Sequence, residues 1–443
     1  MKISTTFTNR IRKIVIVAAW IAVWQIVDLL IGNDILFAGP LETLISLSGN
    51  IVTSQFWMTI MTTLSKIALG YLIGAAIGLL LAVLSYNIPL IEEIVAPPLA
   101  LIKSAPVASF IVLFLIWWSS SVLDTAICAC IVLPQIYVGV LTGLKSTDKS
   151  LLEMADVFGI NPLDRLNCIY MKSLKPHIES AVRISVPMSW KSGIAAEVIG
   201  TPDHTIGAGL YMSKIYIDTA GVLGWTLMVI VLSVICEKLL LVAVSSLLMR
   251  NQRIIGRTRY MGKEAATESL VIRNVTKAFD SAPVYEGFNA EYRHGEIIYL
   301  TSASGSGKTT LLRMIAGLEE ADKGEILMGD NKSVAYLFQE DRLCEEYTAV
   351  DNVALVCADE MKATGLLKEL IGEEHIHKKV RNLSGGQKRR VAIARACAAG
   401  ADIVLLDEPY NGLDEENISV ATDFIRRHTE DSIVLMATHI TER

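Results

Sequence analysis

Long apolar runs before residue 250 constrain this chain more than any other feature. About 20 residues of helix cross ~30 Å of hydrocarbon. Six candidate spans of that order lie at roughly 13–32, 60–84, 99–118, 122–143, 179–200 and 222–249. The third is interrupted by Pro97, Pro98 and Pro106, which cannot supply a helical backbone donor. The first has basic residues ahead of it and no small-residue cleavage pattern after it, so it reads as a retained span. From Arg250 onward apolar runs shorten and charges become frequent, so the mean hydropathy of +0.45 is owed to the first part of the chain. The expected organisation is a transmembrane domain over 1–249, a polar, basic linker over 250–269 (RNQRIIGRTRYMGKEAATES) and a second domain over 270–443.

Basic residues orient the spans. They cluster at Lys2, Arg10, Arg12 and Lys13, again at Lys145, Lys149, Arg165, Lys172 and Lys175, and after the last span at Arg250, Arg253, Arg257, Arg259 and Lys263. Segments 33–56 and 119–121 carry no Lys or Arg, and 201–221 carries only Lys214. The positive-inside rule then puts both termini in the cytoplasm of a multi-pass protein of the cell (plasma or inner) membrane. A net charge of −6 gives no reason to expect a nucleic-acid partner. The seven cysteines are scattered without a CxxC pair, which reads as reduced thiols used as small apolar residues. Lys66, Arg183, Lys191, Glu197 and Glu237 fall in or beside spans, where charge lines a polar path or makes a helix–helix contact. Lys191 and Glu197 stand six apart and do not share a helix face.

Between the fourth and fifth spans runs SLLEMADVFGINPLDRLNCIYMKSLKPHI. Leu151, Leu152, Ala155 and Phe158 make an amphipathic helix that stops at Gly159, a C-cap residue, and Asn161-Pro162 opens a second one. The result is a short cytoplasmic hairpin, built either for simple loop packing or for docking a soluble motor.

The second domain opens with an alternating strand, LVIRNVTKAF, and a buried-strand run, GEIIYL, that leads into TSASGSGKTTLLRMIAG. A strand, a glycine-rich loop and a helix form a phosphate cradle. Gly305 and Gly307 let backbone N–H groups converge on phosphate oxygens, and Ser304, Ser306 and Thr310 complete the lining. Lys308 supplies a cation to the β and γ phosphates of ATP, and the Thr309 hydroxyl is placed for Mg2+. Ser302 stands where the strict pattern has its first glycine.

Further stretches carry a resemblance. RNLSGGQKRRVAIARA, IVLLDEP, YLFQE, NGLD and MATHI, in family-like order, resemble the motifs of ABC ATPases. The resemblance implies that Ser384, Gly385, Gly386 and Gln387 form the signature presented in trans. It implies Asp407 and Gln339 as Mg2+ ligands beside Thr309, with Gln339 also catalytic in its loop. Glu408 is then the general base, His439 the γ-phosphate switch, Asp414 the D-loop residue and Phe279 the adenine-stacking aromatic. The short interval from Gln339 to Leu383, and the four residues after His439, imply a minimal motor. In the first domain, FAGPLETL, the stretch from Trp57 to Tyr86, KSAPVASFIVLFLIWW, AEVIG and IGAGLYM resemble permeases of nitrate, sulfonate and taurine importers. Glu153, Ala155 and Gly159, with Pro176, resemble the family's cytoplasmic coupling loop, with Met154 and Lys172 as departures from its usual Ala and Pro.

The implied fold is multidomain: an all-α polytopic membrane domain of about six transmembrane helices plus an α/β P-loop ABC ATPase domain. The implied function is ATP-driven import of a small solute, a nitrate-, sulfonate- or taurine-like anion or a vitamin precursor. Implied partners are a second copy of the chain, or a paralogous half-transporter, and a separate extracytoplasmic solute-binding protein. Two rivals remain open: an ABC exporter, which would extend its helices into the cytoplasm and lack the hairpin, and a nucleotide-gated membrane sensor or regulatory ATPase.

Overall fold

The computed structural model of the chain describes residues 2–33, 35–250, 269–279, 282–301, 305–328 and 333–438. Apart from its two end residues, the expected linker 250–269 lies outside them. Helices α1 (Lys2–Ile31), α2 (Pro40–Ile51), α3 (Ser54–Asn87), α4 (Pro89–Ser104), α5 (Val107–Trp117) and α6 (Ser120–Lys145) come first. A hairpin of α7 (Lys149–Val157) and α8 (Pro162–Arg165) follows, then α9 (Met171–Gly200), α10 (Ile206–Ile215) and α11 (Thr219–Arg250). Two compact units result: 1–146 with 174–249, and 147–173 with 250–443. The hairpin therefore belongs with the second unit, although it lies inside the linear span assigned to the first.

In the first unit α3 and α6 are joined by glycine. Gly70, Gly74 and Gly78 recur every fourth residue, and a Cβ on each would lie 2.4, 2.5 and 2.7 Å from the carbonyl oxygens of Thr125, Ala129 and Leu133. Only a missing side chain lets the two backbones come this close, the usual way helices associate where burial from water is not the driving force. The larger apolar residues of α3, such as Leu72 and Leu80, face outward.

Six spans were expected. Among the described residues four helices are long and apolar enough: Ile11–Ile31, Ser54–Asn87, Ser120–Lys145 and Thr219–Leu248. The third candidate, 99–118, is a bent pair, α4 and α5 meeting at 105° across the Ala105-Pro106 break, and counts as a fifth span only if the pair is taken as one. The candidate at 179–200 lies within α9, a 30-residue helix that meets the length but not the composition, because Glu179, Arg183, Lys191 and Glu197 interrupt it. These charges have distinct settings. Lys66 pairs with buried Asp124 at 3.3 Å, and Arg183 reaches Glu237 at 4.0 Å. Buried Glu197 accepts from Gly207 N at 2.9 Å, whereas Lys191 is exposed.

The second unit adds strands and helices to the hairpin. In chain order they are β1 (Ser269–Phe279), β2 (Ala282–Arg293), β3 (Ile297–Leu300), α12 (Lys308–Ile315), β4 (Lys323–Leu327) and β5 (Val334–Leu337). Then come α13 (Ala349–Cys357), α14 (Glu360–Ile371), α15 (Gly385–Ala398), β6 (Ile403–Asp407), α16 (Glu415–His428) and β7 (Ile433–Ala437). An antiparallel sheet runs β2-β1-β4, and a parallel sheet runs β3-β7-β6-β5. Every residue of β6 and β7 is buried, the continuous apolar pattern of parallel strands covered on both faces. Leu151, Met154, Ala155, Phe158 and Ile169 of the hairpin join the same apolar core as β5, β6 and α15. Crevices at the carboxyl ends of such parallel strands are where ligands bind.

Candidate functional site

The chain leaves β3 through a loop that ends at Gly307, the N-cap of α12, with φ +89°; Gly305 has φ +79°. A Cβ at Gly307 would lie 2.3 Å from Val284 Cγ1, so a larger residue would meet β2 as well as an unfavourable backbone conformation. Tyr285 of β2 donates its hydroxyl to Gly307 O at 3.1 Å, fixing the loop from above. Lys308 is the first helical residue and is buried. Ser306 is half-buried, and Thr310 sits in the first turn. The cradle is thus a helix N-terminus with a cation at its first residue, the arrangement that favours an anion. Ser302, Ser304 and His439 lie outside the described residues.

Facing the loop, Asp407 closes β6 in a buried position. Thr309 Oγ1 donates to Asp407 Oδ1 at 3.2 Å, and the Tyr336 hydroxyl donates to Asp407 Oδ2 at 3.3 Å. Burial pushes the Asp407 carboxyl above the usual carboxylate range, opposed by the Thr309 bond first and then by the Tyr336 bond. Two hard oxygens, a hydroxyl and a carboxylate, converge where the loop ends. That donor set fits Mg2+, which takes one or two protein oxygens and keeps its waters and phosphate ligands.

Glu408 follows at φ +52°, sparsely populated by non-glycine residues, and is held there by its N–H to Ala437 O at 2.8 Å. Buried Arg389 on α15 supports the same turn. Its guanidinium donates to Asp407 O and Glu408 O, each at 2.7 Å, to Phe338 O at 2.8 Å and to Asp341 Oδ1 at 3.1 Å. Gln339 is exposed just after β5, its carbonyl accepting from Arg389 at 3.3 Å.

Other expected residues have local settings of their own. Ser384 is the exposed N-cap of α15 in a reciprocal capping box: Gln387 N donates to Ser384 Oγ at 3.3 Å, and Ser384 N donates to Gln387 Oε1 at 3.0 Å. Its hydroxyl proton stays available to an incoming acceptor, and Gly385 beside it is exposed. Gly386 approaches Gly412. Asp414 caps α16 through Asn417 N at 2.9 Å, a bond that holds its carboxyl below the usual range. Phe279 is 45% exposed at the end of β1, with Lys277 Nζ 5.1 Å from its ring centroid. Among the described residues Tyr285 is an aromatic that touches the loop, through Gly307.

The hairpin docks on this site by charge as well as by apolar contact. Glu153 accepts from Arg313 of α12 at 3.2 and 3.3 Å and from Arg342, just beyond Gln339, at 2.8 Å. The Arg313 bond is the leading reason that its carboxyl lies below the usual range. Arg342 also donates to Ser150 O at 3.3 Å, and Tyr347 donates to Asn167 O at 3.1 Å. Lys172 pairs with Glu345 at 3.6 Å, and fully buried Arg395 lies over the Phe158 ring. Burial brings the Arg395 guanidinium down to about 10, which leaves it charged at neutral pH. Ala155 and Met154 are fully buried, and Gly159 turns the chain at φ +58°. Sequence reasoning singled out none of Arg313, Arg342, Arg389, Tyr285 or Tyr336. Arg313, Tyr336 and Arg389 lie inside quoted motif stretches, but nothing in those motifs marked the residues themselves, and Arg342 and Tyr285 lie outside them.

Comparison with known proteins bears on both units. The family described as "ABC transporter" matches residues 285–411. That described as "Binding-protein-dependent transport system inner membrane component" matches residues 74–251. The chain is 37% identical over 167 residues to sulfate/thiosulfate import ATP-binding protein CysA 1 of Shewanella oneidensis, covering 33% of this chain and 44% of that one. It is 36% identical to aliphatic sulfonates import ATP-binding protein SsuB 2 of Pseudomonas syringae pv. syringae, covering 42% of this chain and 69% of the relative. An uncharacterized ABC transporter ATP-binding protein of Haemophilus influenzae is 35% identical, covering 38% and 74%. The chain spans 44 to 47% of the length of the first three curated relatives it matches.

Proposed function

The chain belongs to the ABC transporter family, with a permease and an ATP-binding domain in one polypeptide, and from that premise we propose that it hydrolyses ATP to import a small oxyanion of the sulfate or sulfonate class. The observation that carries this reading is the docking of the hairpin. Glu153, from a segment between two permease helices, is gripped by the helix that opens at Lys308 and by the residue three beyond Gln339. A nucleotide site whose first helix holds the permease's own loop is arranged to drive it. The oxyanion class is supported by the sulfate and sulfonate importers among the relatives and by the likeness of the permease sequence to nitrate, sulfonate and taurine importers.

Within each site Lys308 and the N-terminus of α12 bind the β and γ phosphates. Thr309, Asp407 and Gln339 would hold Mg2+, which would supply positive charge to the phosphoryl oxygens. Glu408 takes the proton of the attacking water, and His439 contacts the γ phosphate. Ser384 and Gly385 are exposed and Gly386 is half-buried, and a second copy related by a two-fold axis would present them across the nucleotide. Closure of the two copies on ATP pulls the hairpin, and hydrolysis releases it. A separate solute-binding protein delivers the substrate on the far side of the membrane, with both termini in the cytoplasm.

The test is transport. The full chain in proteoliposomes, with a solute-binding protein encoded beside it, is expected to accumulate labelled sulfonate or sulfate only when ATP is supplied on the side of the second unit. ATP turnover stimulated by solute without any accumulation would replace the importer reading with a sensor.

A further inference from the structure

We propose that Tyr336 is a positioning residue through which the hairpin acts on the magnesium-binding carboxylate. The proposal rests on the ATP site described above and deepens it. An unbroken line of contacts joins the two places. Glu153 accepts from Arg342 at 2.8 Å. The Arg342 guanidinium lies 3.9 Å from the centroid of the Phe338 ring, a cation–π contact. Phe338 and Tyr336 stand two apart, so their side chains leave the same face, and their ring centroids are 4.2 Å apart. The Tyr336 hydroxyl then donates to Asp407 Oδ2, while Thr309 holds Oδ1.

Each member after the first is packed tightly enough to pass on a displacement. Arg342 is 12% exposed, and Phe338, Tyr336 and Asp407 are buried. A buried hydroxyl must find a partner, and this one has taken the second oxygen of a metal-binding carboxylate. Phenylalanine would fill the same volume, so packing alone gives no reason for the hydroxyl. Its effect is to fix the rotation of the Asp407 carboxylate and so the direction in which Oδ1 points. When the hairpin withdraws Glu153, Arg342 loses its counter-charge, its stack on Phe338 loosens, and the Tyr336 ring is no longer held against Asp407. This route runs through side chains and is separate from Gln339.

The experiment reads Mg2+ rather than turnover. The full chain is placed in lipid nanodiscs, and binding of a fluorescent ATP analogue is measured across a Mg2+ titration and in EDTA. Tyr336→Phe is expected to raise the half-saturating Mg2+ concentration about three- to tenfold, the range one side-chain hydrogen bond carries, with affinity in EDTA unchanged. Glu153→Gln is expected to raise it as well, but by less than about twofold when Tyr336 is already Phe, the non-additivity that marks coupled residues. An unchanged Mg2+ midpoint in Tyr336→Phe overturns the proposal. So does lost affinity in EDTA, which would mark a purely structural role, and so does an equal shift from Glu153→Gln in both backgrounds. Failure of the unaltered chain to bind the analogue at all would instead sink the ATP-site reading.

Discussion

Leu72 and Leu80 of α3 are 65% and 59% exposed, whereas all five residues of β6 are buried. The same kind of side chain thus points outward in one unit and inward in the other. In the first unit lipid can take the apolar surface, so hydrophobicity does not tell one helix face from the other. Specific packing falls to close backbone approach, as at Gly74, and to a few polar links such as Tyr71 to Ser185 at 2.9 Å. In the second unit the alternative to burial is water, and removing apolar surface from it drives the fold. The hairpin is the instructive case. It is spliced between two permease helices, yet Met154 and Phe158 are buried with the strands of the second unit. The change of chemistry therefore comes at the end of α6 and near the start of α9, as well as at residue 250.

The sharpest way to break this contrast is to stop the chemistry of the second unit and leave its packing intact. Glu408→Gln removes the proposed base with one atom exchanged, at a residue whose backbone is held by Ala437 and Arg389. Steady-state phosphate release is expected to fall about 10²- to 10⁴-fold, the worth of a positioned general base, while ATP binding persists. Turnover near the original rate would mean that another group takes the proton.

The next largest effect belongs to the first unit. Gly74→Leu puts a side chain where a Cβ already lies 2.5 Å from Ala129 O, a backbone atom that cannot rotate away. Overpacking of this kind costs about 1–3 kcal/mol, to be read as a lower thermal midpoint in detergent or nanodiscs. Leu72→Val, on the outward face, is expected to leave that midpoint within measurement error. Equal losses in both would show that α3 packs by size and not by backbone approach.

How far the sequence reached follows the same division. Lys308 with Thr309, and Asp407 with Glu408, could be read because they are adjacent pairs at a loop end and a strand end, where local spacing marks them, although the Thr309–Asp407 bond joins the pairs across 98 residues. Arg313 and Arg342 could not, because their partner Glu153 is 160 and 189 residues away and any surface arginine reads alike. Hydropathy found the four apolar helices, and of the three prolines expected to interrupt the third candidate only Pro106 stands at the break, since Pro97 and Pro98 lie inside α4. It could not say that the break is a 105° turn, and α9, long enough for a span, falls short by composition because of its charges. The role of Tyr336 was hidden in a strand that reads as ordinary core.

The hairpin supplies a third, intermediate prediction. Glu153→Lys sets a cation against Arg313 and Arg342, 27% and 12% exposed. Charge-assisted hydrogen bonds carry about 1.5–3 kcal/mol, reduced here toward ~1 kcal/mol because Glu153 itself is a third exposed. Solute moved per ATP hydrolysed is expected to fall about fivefold, the equivalent of that energy, with ATP affinity retained. Transport at the original ratio would remove the ion pair from coupling and leave the apolar contacts of Met154 and Phe158 as the only grip.

The smallest effect is its pH dependence. The Arg313 hydrogen bond, reinforced by Arg342, holds the Glu153 carboxyl below its ordinary value near ~4.3, against the opposing pull of burial. A carboxyl lowered on folding stabilises fully above its unfolded value, and that contribution is lost as pH falls through the folded one. The difference in thermal midpoint between the unaltered chain and Glu153→Gln should therefore be flat from pH 8 to about 5. It should shrink only below ~4.3, with a midpoint more acidic than that of a free glutamate. A difference that already shrinks around neutral pH would mean that another group titrates at the docking site. The charged clamp would then have to share its role with that group, and the contrast between an ion-gripped hairpin and a glycine-packed helix pair would weaken accordingly.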